Sequence, residues 1–134
     1  MSKFNVTVEE FTTPDPITAV EKTSISEMIE LMSTHGIRHL PIMRDQNIVG
    51  IVSDRDVRLI SGLNEVQKMQ ITAEDIMTRD PLTVSSNTAL DEVAYLMSEN
   101  KVGSVLVYDP KSSFLGIFTA SDALNALVEI IRGE

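Results

Sequence analysis

The sequence predicts an α/β (α+β) fold: two tandem β-α-β-β-α repeats packed with pseudo-two-fold symmetry. Three observations carry this expectation. A shift of 65 positions aligns Thr7/Thr72, Glu9/Glu74, Thr13/Thr78, Asp15/Asp80, Pro16/Pro81, Thr18/Thr83, Thr23/Thr88, Glu27/Glu92, Leu31/Leu96, Met32/Met97 and Ser33/Ser98. These are eleven identities between residues 7 and 39, where composition alone gives roughly two. Each half also carries apolar residues at helical spacing followed by two short apolar runs. Finally, each half contains a strand running into a hydroxyl residue and an aspartate. These are Gly50-Ile51-Val52-Ser53-Asp54-Arg55-Asp56 and Gly116-Ile117-Phe118-Thr119-Ala120-Ser121-Asp122, in register at a shift of 66 after one inserted residue near Ser112 and Ser113.

Each repeat opens with a short helical lead-in, Val8 to Phe11 or Ala73 to Met77, ended by Pro14 and Pro16 or by Pro81. A brief extended piece follows at Ile17 to Val20 and at Leu82 to Val84. Thr23 and Thr88 are expected as helix N-caps, with Ser26 and Asp91 at the third helical position. The helix after each cap shows a 3.6-residue apolar period: Ile25, Met28, Ile29, Leu31 and Met32, then Leu90, Val93, Ala94, Leu96 and Met97. Two strands follow, Leu40 to Met43 and Ile48 to Val52, around the polar turn Arg44-Asp45-Gln46-Asn47. Their counterparts are Ser104 to Tyr108 and Leu115 to Phe118, around Asp109-Pro110-Lys111-Ser112-Ser113. Closing helices run over Asp54 to Ile60 and Ala120 to Ile131, the second stopped by Gly133. Residues 1–61 thus form the first repeat, 62–71 a polar linker and 72–134 the second repeat. A unit of about 60 residues buries too little surface to be comfortably stable alone, so the two are expected to pack together and leave a cleft on either side of their axis.

Composition removes several function classes. The chain of 134 residues is 43% hydrophobic and 23% charged, the balance of a globular protein. No apolar run approaches the roughly 18 residues of a membrane span, and Met1-Ser2-Lys3-Phe4-Asn5 lacks the apolar core of a signal peptide. A cytoplasmic location is expected. With no cysteine there is no disulfide framework, thiolate metal site or thiol nucleophile. A net charge of −9 argues against nucleic acid, whose phosphates demand clustered Lys and Arg. An anionic ligand would therefore need a local basic group.

Catalysis finds little to work with. His35 and His39 are four apart, the spacing of two metal ligands on a helix. Gly36 and Leu40-Pro41 interrupt that helix, so the pair reads as a helix end passing into a strand, with no metal expected. No glycine-rich phosphate loop is present. The Ser/Thr-x-x-Asp elements have two readings. As capping boxes, Ser53 and Thr119 cap helices and Asp56 and Asp122 return bonds to the cap amides. As ligand elements, the same carboxylates are acceptors fit for two neighbouring hydroxyls such as those of a ribose, at a helix start that favours anions. The preceding glycine would let a flat ring approach the backbone. Arg38 and His39, in Gly36-Ile37-Arg38-His39-Leu40-Pro41, form a plausible phosphate-directed pair. Arg55 adds a cation at a helix start.

Together these motifs resemble a pair of CBS domains, the small regulatory repeat named after cystathionine β-synthase. The residues carrying the resemblance are Asp80-Pro81-Leu82-Thr83-Val84, the Gly36 to Ile42 run and the two Gly-to-Asp elements, and the match extends from about Val8 to Ile131. The resemblance implies a stand-alone module, not an enzyme, that needs no cofactor. It implies binding of adenosine-containing ligands: AMP, ADP, ATP, NAD or S-adenosylmethionine. In the family, the aspartate of one repeat takes the ribose hydroxyls and basic residues of the other reach the phosphates. Carried over, the main site has Thr119 and Asp122 on the ribose, Ile17, Thr18 and Ile37 around the adenine, and Arg38, His39 and Arg55 near phosphate, with Pro41 also among its residues. The second site has Ser53 and Asp56 on the ribose, with Leu82, Thr83, Val102 and Ser121 nearby. There Gly103-Ser104 replaces the Arg-His pair and leaves Lys101 as the main cation, so an asymmetric protein is expected.

The resemblance also implies a homodimer, with apolar helix faces at Met28, Ile29, Met32, Val93 and Met97 and at Leu124, Leu127, Val128 and Ile131 in excess of a thin core. An unidentified regulated protein would read the output. The alternative is a structural, protein-interaction dimer whose clefts are vestigial and whose aspartates serve only as caps.

Overall fold

The structure is a computed structural model describing residues 5–60, 62–111 and 113–133. Ser61, the last residue expected in the first repeat, and Ser112, expected in a turn, lie outside the described residues. After a 3-10 turn at Val8–Phe11 come β1 (Thr13–Pro14), β2 (Ala19–Val20), α1 (Ile25–His35), β3 (His39–Arg44), β4 (Asn47–Ser53) and α2 (Asp54–Leu59). Then follow α3 (Glu65–Gln70), α4 (Ala73–Ile76), β5 (Thr78–Arg79), β6 (Thr83–Ser85), α5 (Leu90–Asn100), β7 (Ser104–Tyr108), β8 (Phe114–Thr119) and α6 (Ala120–Arg132). The strands form two four-stranded sheets, β1-β8-β7-β6 and β2-β3-β4-β5. The mixed α/β architecture and its duplication are those expected.

The compact units do not follow the two halves of the sequence. One gathers the chain up to Asp15 with everything from Leu82 onward, and the other spans Pro16–Pro81. The cause is two short strands that the sequence pattern did not reveal. Strand β1 pairs antiparallel with β8, Thr13 opposite Ile117 and Pro14 opposite Gly116. Strand β5 pairs antiparallel with β4, Gly50 opposite Arg79 and Ile51 opposite Thr78. Each half's opening segment therefore completes the sheet of the other half. The crossings fall at Asp15-Pro16 and Asp80-Pro81, where both aspartates adopt a left-handed backbone, φ 45° and 50°, a conformation that Asp tolerates better than most residues.

In the 16–81 unit, α1 seats Ile25, Met28 and Met32 against Leu40, Ile42 and Val52 of the central strands. The borrowed segment is held by backbone as well as side chains. Ala73 N–H donates to the Thr23 carbonyl at 2.8 Å and Glu74 N–H to the Glu21 carbonyl at 3.0 Å. Lys22 reaches Glu74 at 2.7 Å, and Arg44 grips Glu21 through two bonds of 2.8 and 2.7 Å. That fork holds the Glu21 carboxyl below its usual range, with the Arg44 hydrogen bond as the main cause. In the other unit Val8, Val93, Val105, Val107 and Phe118 are fully buried. Met28, Met32, Val93 and Met97, expected as surplus apolar surface, are core.

Helix starts differ from expectation by one residue. Ser24, not Thr23, caps α1, in a reciprocal box with Glu27, while Thr23 takes the Val20 N–H at 3.0 Å. Helix α5 begins after Ala89, without a side-chain cap. The span expected as a polar linker contains α3, capped by Asn64 with Gln67 and packed on α1. Helices α1 and α5 both end in a left-handed residue, Gly36 at φ 62° and its counterpart Lys101 at φ 55°. A left-handed non-glycine residue costs about 1–2 kcal/mol, and glycine's extra unfolded-state freedom returns part of that. Lys101→Gly is therefore expected to stabilise the protein by about 0.5–1 kcal/mol, measured as a shift in the urea unfolding midpoint at unchanged slope.

Candidate functional site

Each unit brings a strand-end carboxylate to a helix start. In the 16–81 unit β4 runs into Ser53, and the Asp56 carboxylate accepts the Ser53 N–H at 2.8 Å while Ser53 Oγ accepts the Asp56 N–H at 3.2 Å. The beginning of β3 lies alongside. Asp54 N–H donates to the Arg38 carbonyl at 2.8 Å, and His39 pairs with Ser53 across the ladder. Arg38, His39, Ser53, Arg55 and Asp56 are thus clustered at one end of the sheet. The Arg38 and Arg55 side chains are exposed and His39 is half-buried. Ile37 and Ile17 are half-buried against the core, Thr18 is exposed just before β2, and Pro41 is fully buried.

The other unit repeats the plan with a richer cap. Asp122 Oδ2 accepts the Thr119 N–H at 2.9 Å and the Thr119 hydroxyl at 3.1 Å, and Thr119 Oγ1 accepts the Asp122 N–H at 3.2 Å. Ala120 N–H donates to the Gly103 carbonyl at 3.0 Å, and Ser104 pairs with Thr119. This sets Val102 and Lys101 beside the helix start. Leu82 and Val102 are half-buried on the core, and Thr83, Lys101 and Ser121 are exposed.

A further residue at this carboxylate was missed by sequence reasoning. The hydroxyl of Thr13, from β1, lies 3.3 Å from Asp122 Oδ1 and 3.4 Å from Oδ2. No local pattern signals a contact across 109 positions; only the pairing of β1 with β8 creates it. Asp56 accepts from Ser53, and among the described residues no Thr78 bond matches that of Thr13, although Thr78 holds the register position in β5 that Thr13 holds in β1. A carboxylate offers about four acceptor positions. Asp122 has most of them filled.

The glycine of each motif has a different role from the one expected. A Cβ on Gly116 would sit 2.1 Å from the Thr13 carbonyl oxygen, and one on Gly50 would sit 2.5 Å from Met77 Sδ and 3.0 Å from the Thr78 carbonyl oxygen. Glycine is required there because the added strand passes over it, not to admit a ligand ring. Among the described residues there is no group of three or more His, Cys, Asp or Glu able to hold a metal ion, and no helix is long and apolar enough to cross a membrane.

Comparison with known proteins agrees with this architecture. A family model of the CBS domain matches residues 8–61 and again residues 73–129. An inosine-5′-monophosphate dehydrogenase of Korarchaeum cryptofilum is 32% identical over 122 residues, 91% of this chain and 24% of that enzyme. The chain thus spans about a quarter of that relative's length. A crystal structure of CBSX2 in complex with AMP matches with TM-score 0.78 at 31% identity, covering 92% of this chain and 97% of that one. The CBS domain pair of protein MJ0100, in complex with 5′-methylthioadenosine and S-adenosyl-L-methionine, matches with TM-score 0.79 at 30% identity, with the same coverages of 92% and 97%.

Proposed function

The chain belongs to the CBS domain family, carrying two copies of the repeat, and from that premise we propose that it binds adenosine-containing ligands and reports their presence to another protein. The observation that carries the reading is the capped carboxylate at the strand end of each copy, Asp56 and Asp122, an acceptor pair suited to a ribose diol. It is supported by relatives of similar fold whose structures hold AMP or S-adenosylmethionine.

In this proposal Asp122 and Thr119 take the ribose of one ligand, with Ile17, Thr18, Ile37, Arg38, His39 and Arg55 serving its base and phosphate. Pro41 shapes β3 from within the core, because its buried ring has no surface to offer a ligand. Asp56 and Ser53 take a second ribose, with Leu82, Thr83, Lys101, Val102 and Ser121 around it. Phosphate preference follows the cations and so favours the Asp122 ligand; ease of access to the carboxylate favours Asp56. The protein works in the cytoplasm without catalysing a reaction. It signals by shifting between two states that bind ligand unequally. The exposed face of α6, Leu124, Leu127, Val128 and Ile131, with Ile131 73% exposed, is the surface proposed for homodimer formation.

Calorimetric titration with AMP, ATP, NAD and S-adenosylmethionine tests the reading. Wild-type protein is expected to bind at least one of them, and Asp122→Ala to lose that affinity at least about tenfold through the missing charge-assisted bonds. The same change should lower stability by about 0.5–2 kcal/mol through the lost cap. The second reading, an interaction dimer with vestigial clefts, is favoured by the fact that reciprocal capping alone accounts for both aspartates. It predicts the stability loss with no ligand bound by either protein at millimolar concentration.

A further inference from the structure

We infer that Thr13 is a built-in competitor for the Asp122 carboxylate, setting the affinity and hydroxyl selectivity of that copy alone. The inference rests on the ribose reading above and adds a residue and a form of regulation to it. Asp122 Oδ2 already receives two donors from Thr119, the amide at 2.9 Å and the hydroxyl at 3.1 Å. The Thr13 hydroxyl, at 3.3 Å, is the protein donor on Oδ1. With about two acceptor positions per carboxylate oxygen, one position remains while Thr13 is docked. A single ligand hydroxyl can use it. A vicinal diol needs two, so it must displace the Thr13 hydroxyl.

The placement of Thr13 suits such an exchange. It sits on a two-residue strand, its side chain is exposed, and a released hydroxyl returns to water without leaving a buried donor unpaired. The other copy lacks the device: among the described residues Thr78, at the register position of Thr13, makes no bond to Asp56. The two carboxylates, at matching positions of the repeat, are therefore unequal in readiness for a diol. Because Thr13 belongs to the segment that completes the β8 sheet, its displacement also loosens one tie between β1 and the α6 start. Diol binding is thereby coupled to the seating of β1.

The test uses full-length Asp56→Ala protein, which isolates the Asp122 carboxylate, titrated calorimetrically with AMP and with 2′-deoxy-AMP. Thr13→Val keeps the β-branched shape and removes the hydroxyl. It is expected to tighten AMP binding about 2- to 10-fold, the range of one neutral hydrogen bond, and to leave 2′-deoxy-AMP unchanged. Thr13→Ser restores the hydroxyl and is expected to restore the parent affinity. AMP binding that is unchanged or weakened in Thr13→Val overturns the inference, as does equal tightening of both nucleotides, which would reflect a general change in structure. Asp122→Ala separates the levels. If it abolishes AMP binding while Thr13→Val has no effect, only the competitor inference fails; if it binds AMP as tightly as its parent, the ribose reading fails and the inference with it.

Discussion

Gly116→Ala is expected to destabilise the protein by about 2–4 kcal/mol, among the larger effects available to a single added methyl group. The new Cβ would meet the Thr13 carbonyl oxygen at 2.1 Å and the Thr13 carbonyl carbon at 2.9 Å. Both are backbone atoms of the strand paired with β8, so no side-chain rotation relieves the overlap. Either β8 distorts or β1 leaves the sheet. Loss of β1 would carry Thr13 away from Asp122 and expose the amide edge of β8. Gly50→Ala is the internal comparison. Its Cβ meets chiefly Met77 Sδ at 2.5 Å and Cγ at 2.8 Å, the flexible part of a side chain that adapts to new shapes, with the Thr78 carbonyl oxygen at 3.0 Å. A cost of about 1–2 kcal/mol is expected there. Urea unfolding of the two variants beside the wild type decides the matter. Equal midpoints for both would show that β1 is not held over Gly116 as described.

Phe118→Ala is the second large effect, expected at about 3–5 kcal/mol. Phe118 is the bulkiest of the fully buried side chains and sits opposite Val105 in the β7–β8 ladder. Its neighbours Val8, Val93, Val105 and Val107 are themselves fully buried valines, too short and stiff at χ1 to collapse into the space a phenyl ring leaves. Cavity formation thus adds to the lost transfer energy. The counterpart, Val52, is equally buried but smaller, and Val52→Ala should cost about 2–3 kcal/mol, by two lost methyl groups and a smaller void. The Phe118 change also reaches the candidate site, since the next residue is Thr119, the cap that holds Asp122. Weaker AMP binding at temperatures where the variant is partly unfolded is the functional consequence. A midpoint shift in Phe118→Ala no greater than in Val52→Ala would refute the cavity account.

Much of this protein is legible in one dimension. The duplication, the helix faces built on Ile25, Met28 and Met32 and on Val93 and Met97, the paired central strands and the Ser53–Asp56 and Thr119–Asp122 boxes all follow from spacing. Each is local: its partners lie within a turn of helix or across a short hairpin. Small errors at helix starts have an equally local cause. Thr23 and Ser24 are both able to cap, and the choice fell to Ser24 because Glu27 stands three residues beyond it. Helix α3 escaped notice because its six residues carry no buried side chain, leaving no apolar period to read.

What the tertiary structure alone decided is long-range. Strands of two residues, β1 and β5, have too few side chains to show alternation, and their partners lie about 100 and 30 positions away. Their pairing sends each opening segment into the other half's sheet. It turns Gly50 and Gly116 into crossing points and brings Thr13 onto Asp122. The sequence by itself determined two copies, each with a capped carboxylate, and the different cations beside them. Tertiary pairing added a further difference between those carboxylates, because hydrogen bonds between residues 109 positions apart depend on which strand edges meet rather than on any local pattern.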